Sequence, residues 1–149
     1  MKSFGSIMSF KKQRNYALLK EYRKVIANVS VIRLKDIGEI IVNSPSPRFW
    51  VSEERATAVI SAMIRGKDVL SSMRASKREM FNEIYKRVMA IKRKGDNSHL
   101  NKIVFSVVNS PAPKFYMKAS SAIEILFKVR NGYYERNKKW WTKITAKRK

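Results

Sequence analysis

The sequence predicts an all-α protein made of two tandem helical repeats of about 65 residues, each with roughly three helices. Three observations predict this fold class: a motif that occurs twice, apolar residues at helical spacing in both copies, and 44% hydrophobic residues, which support a packed core. We assign four segments: a basic N-terminal arm (1–13), repeat 1 (14–70), repeat 2 (71–133) and a basic, Trp- and Lys-rich C-terminal tail (134–149).

The repeated motif is Asn-Ser-Pro-x-Pro-[Arg/Lys]-Phe-[Trp/Tyr], which occupies residues 43–50 and again residues 109–116. The offset of 66 residues continues downstream, where Gly66 aligns with Gly132. Upstream the offset shortens to 63, which places an insertion in the second copy at 94–97. Insertions are tolerated in surface loops, so we expect a loop there.

The first helix of each repeat is predicted by apolar residues at helical spacing, from Tyr16 to Val29 in repeat 1 and from Met80 to Ile91 in repeat 2. In repeat 2 a capping box, Ser76-Lys77-Arg78-Glu79, predicts where this helix begins. The serine and the glutamate of such a box each satisfy an unpaired backbone donor.

The second helices are predicted at about 34–42 and 100–108, because each apolar segment ends where Asn-Ser meets proline. The two prolines of each motif then hold an extended connection. In repeat 1 the third helix begins after Ser52, a probable-type N-cap residue, with Val51 and Ala56 at the spacing of a hydrophobic staple.

The second half of each repeat is therefore loosely similar to a helix-turn-helix, although its connection is longer than the usual turn. Glu53 and Glu54 oppose phosphate at the start of the third helix in repeat 1. Repeat 2 has Lys118 followed by small residues, which leaves backbone donors for an anion. We expect the second copy to be the better phosphate contact.

Charge decides the expected class of partner. The chain has 33 Lys and Arg against 11 Asp and Glu, a formal net charge of +22, which requires a polyanion nearby. DNA or RNA is the expected partner, while an acidic protein or an anionic membrane surface are the alternatives, the membrane being the least favoured. The absence of cysteine excludes disulfides, a thiol nucleophile and Cys-ligated zinc.

Within the repeated motif we separate structural residues from contacts. Prolines and aromatic residues are expected to fix the connection and fill the core, with base stacking as the alternative for Trp50 and Tyr116. Arg48 and Lys114 are expected to contact phosphate. The structural set is Pro45, Pro47, Phe49, Trp50, Pro111, Pro113, Phe115 and Tyr116.

Further nucleic-acid contacts are expected among basic residues of repeat 2 and of the tail. They are Lys86, Arg87, Lys92, Arg93, Lys94, Lys118, Lys138, Lys139, Trp140, Trp141, Lys143, Lys147 and Arg148. For the two tail tryptophans three interpretations stay open: base stacking, a cap on the core, or contact with a membrane surface.

No catalytic pattern is present in the sequence. His99 is the only histidine, and it lies beside the insertion, where the first copy has Arg33. No metal-ligand spacing, phosphate-binding glycine loop or serine elbow occurs. We therefore expect no enzymatic activity, no cofactor and no metal. No apolar run is long enough for a signal or a spanning segment, so we expect a cytoplasmic location or one within a virion.

The stretch from Asn43 to Ala56, with its second copy from Asn109 to Ala122, resembles a Pro-Ala-Pro-Arg-Phe-Tyr-type motif of small basic repeat proteins. Those proteins belong to gut bacteria and their phages or mobile elements, and the resemblance implies no established activity. In size, helicity and basicity the chain is also similar to the accessory variability determinants of diversity-generating retroelements, which are helical bundles that assist a reverse transcriptase and bind nucleic acid. The duplicated Pro-x-Pro element departs from that second family.

These observations favour a non-enzymatic protein of a phage or mobile element that binds DNA or RNA mainly through phosphate. The alternative is a structural or assembly protein, or an accessory subunit of a nucleoprotein machine. A virion component and a reverse-transcriptase accessory protein are examples, and such a protein would bind a partner protein or assemble with itself.

Overall fold

A computed structural model describes residues 2–28 and 33–130, with side chains from residue 10 onward. This part of the chain is all-α, as predicted, and contains six helices and no strand. The helices are α1 (Lys2–Asn28), α2 (Leu34–Val42), α3 (Glu53–Ile64), α4 (Ala75–Arg93), α5 (Leu100–Val108) and α6 (Ala119–Arg130).

Helix α1 begins at Lys2, so residues 2–13 continue this helix instead of forming the separate arm that we expected. No proline interrupts the segment. Phe10 also holds it in place, because its ring stacks on Trp50 with 6.5 Å between the centroids. The basic N-terminal residues are thereby part of the helical body.

Helices α2 and α5 have the predicted bounds, and the motif itself ends them. Asn43 and Asn109 are the C-cap residues. The side-chain amide of Asn43 donates to the carbonyl of Glu39 at 2.9 Å, and that of Asn109 donates to the carbonyl of Phe105 at 2.9 Å. Each asparagine thus satisfies a carbonyl at the helix end, where intrahelical partners run out.

The helices pack into two groups. Helices α1, α2 and α6 pack on one another, and so do α3, α4 and α5. We call the first group cluster A and the second cluster B. Each group has its own buried apolar core, and each takes two helices from one sequence copy and one helix from the other. The packing units therefore differ from the sequence repeats at 14–70 and 71–133.

The two Pro-x-Pro connections cross and pair with each other. Ser46 and Ala112 form an antiparallel bridge, with N–H to O=C distances of 2.9 and 2.8 Å. The N–H of Phe49 donates to the carbonyl of Val108 at 3.0 Å. A matching bond, with both residues shifted by 66, joins the N–H of Phe115 to the carbonyl of Val42 at 2.9 Å. Extended backbone cannot satisfy itself, so each connection supplies the partner of the other.

This crossing overturns the helix-turn-helix expectation. A helix-turn-helix needs its two helices packed on each other, but α2 packs on α6, and α3 packs on α5. The physical reason lies in the connection: proline fixes φ, and the residue before each proline is kept out of the helical region. The stiff extended connection carries the third helix away from the second helix of its own copy and into the other cluster.

Two predicted helix starts have different outcomes. The Ser52 cap is confirmed, since its Oγ accepts from the N–H of Arg55 at 3.1 Å. The capping box is wrong, because α4 begins at Ala75 and Ser76 lies inside the first turn. Tertiary packing of the preceding segment sets this start, since Leu70 and Met73 pack on the core of cluster B.

Candidate nucleic-acid interface

The aromatic residues of the two motifs form the centre of the crossing. Phe49 and Phe115 are fully buried, one in each core. Phe49 stacks on Tyr116 with 5.9 Å between the ring centroids, and Trp50 stacks on Phe115 with 6.3 Å. Each buried phenylalanine is therefore covered by an aromatic residue of the other connection. The four prolines lie at the surface; they are Pro45, Pro47, Pro111 and Pro113.

Arg48, an expected phosphate contact, is enclosed by the protein. Its Nε donates to the carbonyl of Phe49 at 2.9 Å, and its Nη2 donates to the carbonyl of Val51 at 2.6 Å. The guanidinium lies over the rings of Phe10 and Trp50, at 5.5 and 5.7 Å from their centroids. Only 13% of the side chain is exposed. These contacts occupy its donors, so we leave Arg48 out of the proposed phosphate contacts.

Burial also lowers the pKa of Arg48, because desolvation disfavours the charged form. Glu53, whose carboxylate lies 3.9 Å from Nη1, acts in the opposite direction. The side chain keeps its charge at neutral pH, since arginine is protonated far above that range. Arg48 therefore contributes positive potential to its surroundings although its donors face inward.

Lys114, the counterpart of Arg48, is more accessible but is paired. Its Nζ lies 2.8 Å from Oε1 of Glu79 on α4, and it sits 5.6 Å from the centroid of the Tyr116 ring. More than a third of the side chain is exposed. The neighbouring carboxylate reduces its value as a phosphate contact.

Lys118 directly precedes α6 and is exposed. Its carbonyl accepts from the N–H of Ala122 at 3.1 Å, which makes Lys118 the N-cap residue of this helix. The first turn of α6 contains no acidic residue, whereas α3 has Glu53 and Glu54 there. The charge difference between the two third helices is as the sequence indicated.

Helix α4 carries the other basic residues of repeat 2 that we expected to bind. Four are exposed, three of them at or just beyond the end of the helix: Lys86, Lys92, Arg93 and Lys94. Arg87 is tied into the structure. It donates from Nε to Glu83 at 2.8 Å and from Nη1 to the carbonyl of Pro111 at 2.8 Å, and it lies 5.1 Å from the centroid of the Phe49 ring.

The outer face of α1 is a basic surface that the sequence analysis did not single out. Tyr16, Lys20 and Lys24 are spaced by four residues and are all exposed, together with Arg23. Tyr16 is 56% exposed, which is high for a large aromatic residue. We call these four residues the α1 face. The four-residue spacing of cations around an aromatic residue was the available signal.

The α1 face lies between two concavities, and Tyr16 lines both. A groove of about 530 Å³ separates α1 from α6, and its walls include Leu19, Leu126 and Phe127. A cavity of about 430 Å³ lies between α1 and the crossing. The residues of this cavity that matter here are Tyr16, Lys20, Glu21, Lys24, Arg48 and Trp50.

The indole N–H of Trp50, in the wall of the smaller cavity, is buried and has no hydrogen-bond partner within the described residues. A buried donor without an acceptor is uncommon in folded proteins. Lys24, on the opposite wall, pairs with Glu21 at 3.3 Å, and its side chain is 61% exposed. An ion pair this exposed contributes little and opens readily.

The corresponding face of α4 has different chemistry. At the offset of 63 residues, Glu79 and Glu83 occupy the places of Tyr16 and Lys20. Arg87 occupies the place of Lys24, and its guanidinium reaches across to the connection at Pro111. Two carboxylates and a tied arginine thus replace the exposed tyrosine and lysines of α1.

Other site chemistries find little in the described residues. His99 is exposed at the N-cap of α5 and makes no side-chain cap bond. No three His, Asp or Glu side chains of the described part gather as a metal ion requires. None of the described helices combines the length and the apolar character needed to cross a bilayer.

The C-terminal contacts that the sequence suggested lie outside the described residues: Lys138, Lys139, Trp140, Trp141, Lys143, Lys147 and Arg148. Comparison with family models, with curated proteins and with solved structures finds no match to this chain. The functional argument therefore rests on the residues themselves.

Proposed function

We propose that this protein binds nucleic acid, chiefly through phosphate, and catalyses no reaction. The observation that carries the proposal is the α1 face, where Lys20, Arg23 and Lys24 surround the exposed ring of Tyr16. Cations beside an exposed aromatic residue match a polyanion that also offers flat apolar faces. The net charge of +22 supplies the long-range attraction.

We also propose that the chain consists of two tandem copies of one three-helix unit that have exchanged their third helices. The reciprocal hydrogen bonds of Phe49 and Phe115, related by the 66-residue offset, support this architecture. The exchange joins the two units rigidly, so the α1 face and the exposed cations of α4 belong to one body. A bound nucleic acid then meets one surface instead of two independent modules.

Salt-dependent titration tests the proposal. Labelled duplex, single strand and structured RNA are titrated with the full chain between 50 and 200 mM salt, followed by fluorescence anisotropy. Many phosphate contacts predict a loss of affinity of about 10³-fold or more over this range, because counterions are released on binding. A flat salt response, or no binding at low salt, would overturn the proposal.

A matched pair of variants locates the surface. Lys20→Gln/Lys24→Gln removes two charges from the α1 face, and Lys67→Gln/Lys77→Gln removes two exposed charges from the region of cluster B. We expect the first variant to reduce the slope of log K against log salt by about 1 to 2, since each phosphate contact adds roughly 0.7 to 0.9. We expect a smaller change in the second. Equal changes would contradict the placement on α1.

Truncation separates the helical body from the tail. Deletion of residues 137–149 removes Lys138, Lys139 and the two tryptophans, and binding should persist if the helices carry the main interaction. Loss of all binding after truncation, with the helical content unchanged by circular dichroism, would assign the interaction to the tail.

A second candidate is a structural or assembly role, and one observation favours it. Phe105 on α5 is 55% exposed, and Ile40 and Ile64 are also exposed. Exposed large apolar residues are typical of surfaces that contact another protein. Mass measurement in solution, with Phe105→Ser as the comparison, tests this role: a defined oligomer that the variant dissociates would support assembly, and a monomer in both would contradict it.

A further inference from the structure

We propose that the cavity between α1 and the crossing seats a nucleotide of an unpaired strand, with Tyr16 as the stacking surface at its rim. The inference rests on the proposed function and makes it more specific, because it selects single-stranded nucleic acid over duplex. The cavity volume of about 430 Å³ lies within the range of about 300 to 1,000 Å³ that small-ligand sites have.

The charges of the cavity select an anion. Lys20 and Lys24 lie on its α1 wall, and the guanidinium of Arg48 lies on the side of the crossing. Glu21 is the acidic residue among those that line it, and its ion pair with Lys24 is exposed to solvent. A phosphate that enters the cavity therefore meets two lysines that are free to reorient and a partly desolvated arginine.

The exposed ring of Tyr16 selects an unpaired base. Aromatic side chains bind single strands by stacking on the faces of splayed bases. The bases of a duplex stack on one another and offer only their edges. A ring that is 56% exposed beside a phosphate-sized hollow suits a strand whose base lies on the ring while its phosphate lies inside.

The indole N–H of Trp50 supplies a second, independent observation. It is a buried donor without an acceptor within the described residues, and Trp50 lines the same cavity. Such a donor gains a hydrogen bond when a ligand oxygen reaches it. Phosphate and base carbonyl oxygens both provide that acceptor.

The second side of the crossing shows that helix packing does not impose the hollow. There Arg87 extends from α4 to the carbonyl of Pro111 and covers the ring of Phe49. Lys114 closes on Glu79 beside it. Where the chain fills this place with its own side chains, it has acids at the positions of Tyr16 and Lys20. The open, basic version occurs beside α1.

The first test compares substrates and tyrosine variants at one salt concentration. A single strand of about ten nucleotides and its duplex are titrated with the wild-type chain, Tyr16→Ala and Tyr16→Phe. We expect the single strand to bind more tightly, Tyr16→Ala to lose about 10-fold for the single strand alone, and Tyr16→Phe to retain affinity. Phe105→Ala is the control, because Phe105 is equally exposed on a different helix.

The second test reads the cavity directly. In a Trp140→Phe/Trp141→Phe background Trp50 is the remaining tryptophan, so its emission reports on the cavity. Single strand should change this emission, and Lys20→Gln/Lys24→Gln should weaken the change in parallel with the affinity.

The outcomes separate this site from the general function. Salt-dependent binding with equal affinity for single strand and duplex, no effect of Tyr16→Ala and constant Trp50 emission would overturn the site while leaving nucleic-acid binding intact. The absence of binding to every nucleic acid at low salt would overturn both proposals.

Discussion

The outer faces of α1 and α4 differ, although each helix packs on a second and a third helix in the same way. The α1 face presents Tyr16 and Lys20, and α4 presents Glu79 and Glu83 at the same places. No core contact depends on these side chains, so their chemistry changes without a cost in packing. The comparison teaches that the helical scaffold is common to both halves, whereas the surface is specific to one.

The cores of clusters A and B differ much less. Leu18 in cluster A corresponds to Phe81 in cluster B, and Ile41 corresponds to Val107, so buried positions stay apolar while their size changes. A polar group at such a position has no partner and is costly to bury. Gly38 and Val104 form the largest difference in size, at the places where α2 meets α6 and α5 meets α3.

The comparison of the two cores is broken most strongly at the buried phenylalanines. Phe49→Ala and Phe115→Ala should each lower the free energy of unfolding by about 3 to 5 kcal/mol, because each leaves a cavity in one core. We expect the loss to be larger for Phe49, whose ring also contacts Arg87. Urea denaturation measures both losses, and a loss below about 1 kcal/mol in either variant would contradict the burial.

The close approach of α2 and α6 is tested at Gly38. A Cβ on Gly38 would lie 3.0 Å from the carbonyl oxygen of Ala119 and 3.0 Å from Cγ1 of Ile123. Gly38→Ala should therefore lower stability by about 1 to 3 kcal/mol, although alanine is the better helix former.

A helical glycine in open surroundings would instead gain stability from alanine. An increase in the melting temperature of Gly38→Ala would thus show that α6 does not lie against α2. The same thermal melts should be repeated with Val104→Ala, which shortens the buried side chain that occupies the equivalent place in cluster B.

The smallest expected effect concerns the caps of the third helices. Ser52→Ala should lower stability by about 1 kcal/mol, since the N–H of Arg55 loses its acceptor. Lys118→Ser places the same cap on α6 and should raise stability by a few tenths of a kcal/mol or more. Chemical denaturation of both variants checks the signs, and a neutral Ser52→Ala would show that the cap bond does not contribute.

Local chemistry made much of the fold predictable. The bounds of α2 and α5 follow from the proline after each Asn-Ser pair, and the start of α3 follows from Ser52. The all-α class follows from apolar residues at helical spacing. Each of these features depends on residues within one or two turns, which a single sequence displays in full.

The candidate site was less predictable. Arg48 is typical of a phosphate contact in the sequence, yet its guanidinium bonds to the carbonyls of Phe49 and Val51. The exposed state of Tyr16 was equally hidden, because helical spacing places it on a face but does not say which face meets solvent. Both outcomes depend on which helix lies opposite, and that is a property of the whole chain.

By itself the sequence determined the six helices, their stops and caps, the basic character of the chain and its 66-residue duplication. Only the tertiary structure decided that third helices pack in the opposite cluster, that the two connections pair, and that α1 carries an open basic cavity. The reason is physical: helix formation is governed by neighbours in the chain, whereas two extended connections with unpaired backbone groups are satisfied only by each other, across 66 residues.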